Sequence, residues 1–77
     1  MEAYMDERTM EVIGLAEHSR EMRAAASAMD RAARHVIHDK AGERLYRRLR
    51  LTAISYRRAA LAADREIVGL ETTPAGG

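Results

Sequence analysis

The sequence predicts an all-α fold: an antiparallel helical hairpin that pairs as a dimer into a four-helix bundle. Three observations predict it. The only proline is Pro74 and β-branched residues are few, so little but glycine interrupts a helical reading from about residue 2 to about residue 70. Apolar residues recur at alternating steps of three and four, the spacing that holds one helix face against a partner. That spacing slips once, near the middle of the chain, and a slip in register is where a helix ends.

In the first half, Val12, Leu15, Ser19, Met22, Ala26, Met29, Ala33 and Val36 keep the heptad step. Taking Val12 as position a puts Ser19, Ala26 and Ala33 at a, and Leu15, Met22, Met29 and Val36 at d. Carried onward, the same register would bury Lys40, Glu43, Arg47 and Arg50, and so it cannot continue. A second register opens one residue early at Tyr46 and runs through Leu49, Ala53, Tyr56, Ala60, Ala63, Ile67 and Leu70. Between the two lies His38-Asp39-Lys40-Ala41-Gly42, in which Asp39 reads as an N-cap and Gly42 as the helix-weak residue. The expected layout is one domain over residues 1–70, with a helix over about 2–38, a turn at 39–42 and a helix over about 43–70, followed by a flexible tail at 71–77. A single continuous helix of nearly seventy residues is the competing layout, and the register slip argues against it. Gly14 costs about 1 kcal/mol relative to alanine and marks a kink or a separate leading turn. Gly69 reads as a terminator.

Small residues alternate with long ones along the first seam. Ala26 and Ala33 let a neighbouring backbone approach closely, and Met22 and Met29 fill the uneven space beside them. Ala53, Ala60 and Ala63 offer the same in the second helix. A further row, Leu51, Ile54, Leu61 and Val68, lies well around the second helix from its seam. One stripe needs one neighbour, and this second stripe is assigned to a partner or dimer interface.

Seventy-seven residues bury too little apolar surface for a robust monomer without staples, and cysteine, tryptophan and phenylalanine are all absent. The expected state is therefore a homodimer. The acidic start MEAYMDERTME lacks the basic-then-apolar order of a secretory signal, and no run approaches the roughly 18–20 apolar residues of a membrane span. A cytoplasmic protein without membrane contact is expected. The preference for Arg and Ala over Lys points to a bacterial or phage genome.

Catalysis has little to draw on. There is no thiol, the serines Ser19, Ser27 and Ser55 fall within helices, and no glycine-rich elbow or phosphate loop occurs. The chain is expected not to be an enzyme and to need no cofactor. His35 and His38, three apart at the end of the first helix with Asp39 beside them, are weak metal candidates, since spacing fixes no third ligand and none is assigned. The arginines are denser: Arg44, Arg47, Arg48, Arg50, Arg57 and Arg58, with Lys40, outnumber the one carboxylate Glu43 over residues 40–58. They are candidate contacts for phosphate or for an acidic partner. Projected on a helix they surround the seam and form no single stripe. The function expected from these features is a small interaction module, a regulator, inhibitor or adaptor that self-associates and binds a larger protein. The alternative is a small nucleic-acid-binding regulator that uses the basic turn-end helix.

Charge sets the expected orientation of the dimer. Folded at the turn, the open end carries a net −6, and residues 22–58 carry ten positive side chains against Asp30, Asp39 and Glu43, a net +7. Within one hairpin this sets like charges side by side. A second copy turned end for end sets each acidic end against a basic one.

Overall fold

A computed structural model describes residues 6–72 of the chain, and the expectations for the first five residues and for the tail beyond Thr72 lie outside that range. Two helices, α1 (Glu7–Arg34) and α2 (Lys40–Thr72), pack against each other as a hairpin. Early residues meet late ones, Arg23 against Asp64 and Asp30 against Arg50, so the pairing is antiparallel. The single continuous helix is thereby excluded. Among the described residues no helix is long and apolar enough to cross a membrane.

Asp6 starts α1. Its carboxylate accepts the Thr9 N–H at 2.8 Å, and its carbonyl accepts the Met10 N–H at 3.0 Å. That capping bond holds the Asp6 carboxyl below its usual range. At the other end Arg31 and Arg34 occupy the last turn, where cations oppose the helix dipole. The helix stops at Arg34, short of the expected residue 38. His35 is the C-cap, and the His35 and Val36 N–H groups donate to the Ala32 and Ala33 carbonyls in the tighter pattern of a terminating turn. The β-branched pair Val36-Ile37 follows, and Asp39 already commits the chain to the next helix.

The connection is residues 35–39, not 39–42. Asp39 caps α2 as expected: its Oδ1 accepts the Gly42 N–H at 2.7 Å and its carbonyl the Glu43 N–H at 2.8 Å. Gly42 is not a turn residue. It lies within the first turn of α2, and its place there is set by crowding, because a Cβ on it would fall 1.6 Å from the Ile37 carbonyl oxygen. The chain doubles back so tightly that only a hydrogen fits between them.

Gly14 does not split α1, and Gly69 does not end α2, which runs on to Thr72. A Cβ at Gly14 would meet nothing within 4 Å. Gly14→Ala is therefore expected to raise stability by about 0.5–1 kcal/mol through helix propensity alone, read as a higher urea midpoint at unchanged slope.

The core is thin. Ala26, Ala33, Ala53, Ala60 and Ala63 are the buried apolar side chains among the described residues, joined by Ser19 and Gly42, and no larger side chain is fully enclosed. Ser19, Ala26 and Ala33 repeat every seven residues, as do Ala53 and Ala60, so both seam registers hold. The long seam residues Leu15, Met22, Met29, Leu49 and Tyr56 are only half-buried, and Tyr46 is exposed. The radius of gyration is 17.9 Å, against about 11–12 Å for a compact chain of this length. The molecule is a narrow rod without a second layer.

Candidate protein-binding surface

The outer side of α2 is built from a heptad row offset from the seam. Ile54, Leu61 and Val68 follow at intervals of seven and lie about 100° around the helix from the Ala53–Ala60 line. Leu51 sits one turn before Ile54, nearly opposite the seam. Their exposures are 57% for Leu51, 42% for Ile54, 49% for Leu61 and 58% for Val68, so α1 covers none of them. The row is contiguous, and scattered single apolar residues would need no such explanation.

The arginines divide into two groups. Arg50 and Arg57 turn back to α1 and grip the two carboxylate oxygens of Asp30, at 2.6 and 2.5 Å. Arg44, Arg47, Arg48 and Arg58 have no carboxylate in ion-pair reach among the described residues. These four flank the exposed row. At the turn end, Tyr46, Arg47, Arg50 and Leu51 line an open surface hollow with His38 and Glu43.

A second cluster pins the open half of the hairpin. Buried Ser19 donates its hydroxyl to Asp64 Oδ1 at 2.7 Å, and Arg23 bonds both partners, reaching Asp64 Oδ2 at 2.6 Å. Among the described residues no buried side-chain polar atom lacks a partner. The Ser19 hydroxyl is thus tied to a carboxylate and a guanidinium, with no imidazole to act as base. The expectation of like charges side by side is corrected here: Arg23, Asp30, Arg50, Arg57 and Asp64 pair opposite signs across the hairpin. In an antiparallel pair, residues just after position d on each helix face one another on one flank of the seam. Asp30, Arg50, Arg57, Asp64 and Arg23 all occupy that position. Reading the charges by flank and not by end would have found them.

The ion pairs impose a pH dependence. The Arg57 hydrogen bond, with Arg50 beside it, lowers the Asp30 pKa, and the Arg23 and Ser19 hydrogen bonds lower that of Asp64. A carboxyl whose folded pKa is depressed stabilises the fold fully above its ordinary value of 3.8 and loses that contribution as pH falls through the folded value. Thermal stability is expected to hold from pH 7 to about pH 5 and to fall below it. The doubly substituted Asp30→Asn, Asp64→Asn chain should be less stable at pH 7 and show a flatter acid limb in calorimetry.

The two histidines do not share a helix face. His35 is the α1 cap, and His38 lies in the connection. Among the described residues no three His, Cys, Asp or Glu side chains gather as a metal-binding group. Added zinc or chelator is expected to leave helicity and melting temperature unchanged, and a zinc-dependent rise lost in His35→Ala, His38→Ala would contradict this. No protein-family model, no curated protein and no solved structure matches the chain.

Proposed function

We propose that the chain is a small non-enzymatic helical interaction module, a regulator, inhibitor or adaptor, which self-associates and binds a larger protein through the outer face of α2. The observation that carries this reading is the uncovered Leu51–Ile54–Leu61–Val68 row, with Arg44, Arg47, Arg48 and Arg58 around it and no ion pair to any of the four among the described residues. A complementary partner offers an apolar helix or groove with an acidic rim. The apolar row supplies affinity by desolvation, and the arginines supply long-range attraction and orientation.

A second reading, binding of nucleic acid by the basic end, draws on Arg44, Arg47, Arg48 and Arg58. The pairing of Arg50 and Arg57 with Asp30 weakens it, because two of the six candidate phosphate contacts are engaged within the hairpin.

Affinity capture from a cell extract separates the two readings. The chain is used as bait beside Leu61→Glu, Val68→Glu and beside Arg44→Gln, Arg47→Gln, Arg48→Gln. Under the first reading a defined protein survives nuclease treatment and is lost with the glutamate variant. Its affinity declines gently with salt. Under the second, nuclease releases whatever is bound, and duplex DNA or RNA titrated directly shows a steep log–log salt slope. That slope shrinks by up to about three in the glutamine variant.

A further inference from the structure

The two flanks of the hairpin seam are unlike. One carries the three ion pairs of Arg23, Asp30, Arg50, Arg57 and Asp64. The other carries Ala25 and Ala32 on α1 facing Leu45, Thr52 and Ala59 on α2, with Glu11, His18 and Glu66 in the same rows toward the open end. On this second flank stand the long seam residues Leu15, Met22, Met29, Leu49 and Tyr56, all half-buried. At the turn end Ala32, Val36, Leu45 and Leu49 line one apolar hollow, which places residues of both helices on this common face.

We propose that a second copy of this chain packs end for end on that face, closing a four-helix bundle around Leu15, Met22, Met29, Leu49 and Tyr56. The proposal deepens the self-association part of the reading above and rests on it, and it moves the dimer contact away from the Leu51–Ile54–Leu61–Val68 row. Three observations select this occupant. Among the described residues the buried apolar side chains of one hairpin are all alanines, so its largest apolar side chains reach full burial only against a second layer. The face is bordered by acids at the open end, Glu11, Glu21 and Glu66, and by Arg48 at the turn end. It is therefore complementary to itself when one copy is reversed, the condition for a closed two-fold contact. Finally, pairing through the outer α2 row would lay four helices in one flat layer and leave the half-buried methionines open. The bundle covers them and leaves the arginine-rimmed row free for a different protein.

The test uses the full chain at tens of micromolar, with light scattering for mass and three further readouts. Met22 and Met29 are expected to react slowly with hydrogen peroxide at that concentration and faster on dilution. Exposed Met10 serves as a reference whose rate does not change. Leu61→Glu, Val68→Glu should remain dimeric, and Met22→Glu, Met29→Glu should not. A spin label at His38→Cys should show a separation between copies of about 40 Å or more, since reversed copies put the turns a helix length apart. Dimerisation that is lost in Leu61→Glu, Val68→Glu while methionine oxidation ignores dilution would overturn the proposal and leave self-association standing. Labels within about 20 Å of each other would overturn the reversed arrangement. A monomer at tens of micromolar would overturn both this proposal and the self-association it rests on.

Discussion

Gly42→Ala is expected to destabilise the chain by about 3 kcal/mol or more, the largest effect of any single methyl group added to it. The cause is local and rigid. The new Cβ would lie 1.6 Å from the Ile37 carbonyl oxygen and 2.8 Å from its carbon, and both are backbone atoms. A flexible side-chain tip could swing aside, but this carbonyl also accepts the Asp39 N–H at 3.0 Å. Moving it would break the turn, and with the turn goes the Asp39 carboxylate that caps α2. Urea titration followed by circular dichroism checks the result, with Gly14→Ala as a paired control of opposite sign. A wild-type midpoint for Gly42→Ala would mean that the connection does not pass where it is described.

The next largest effects belong to the alanine seam. Ala26 and Ala60 are 0% exposed, and each faces the opposing helix with a single methyl group. Leucine at either site adds three carbons where two backbones approach, and the helices must separate along the rod. The expected loss is roughly 1–3 kcal/mol at each. Helix propensity does not enter, because leucine is nearly as good a helix former as alanine. Ala62→Leu, on the exposed side of the same helix, should lie within about 0.5 kcal/mol of the parent. Neutral results at both Ala26 and Ala60 would remove the seam assignment.

The hairpin and its seam were legible because heptad spacing reports which residues share a face, and the alanine positions then follow. Asp39 as a cap was legible for a similar reason, since its carboxylate sits at the one place where two registers fail to join. Helix ends were less so. Val36 keeps the seam step although it lies past the end of α1, and periodicity has no means of signalling that the backbone has already turned. Gly42 attracted notice as a helix-weak residue, but its meaning depends on a carbonyl five residues earlier. Only three-dimensional proximity brings that atom close. Gly14 and Gly69 carried the same local signal and sit in open helix, so glycine alone did not distinguish a need from a tolerance.

The outer row and its arginines were visible as residues, while their division into paired and unpaired groups was not. Net charge per end treats Arg50 and Arg57 like Arg47 and Arg48. The structure separates them by whether Asp30 of the opposite helix lies within reach. The same blindness hid Ser19, whose polar side chain in an alanine line looked like one more small spacer. Its hydroxyl instead meets Asp64 and Arg23 and fixes how far the two helices slide past each other.

The central claim is that α1 folds back along α2 with their alanines in contact, and a single intrachain distance tests it. Spin labels are placed at Glu17 and Arg65, both exposed and level with each other near the Ser19–Asp64 contact, in a chain diluted with unlabelled protein. Helix axes about 8–10 Å apart and labels on outward faces give a separation of about 20–30 Å. A separation near 70 Å, the length of about 48 residues of uninterrupted helix, would contradict the hairpin.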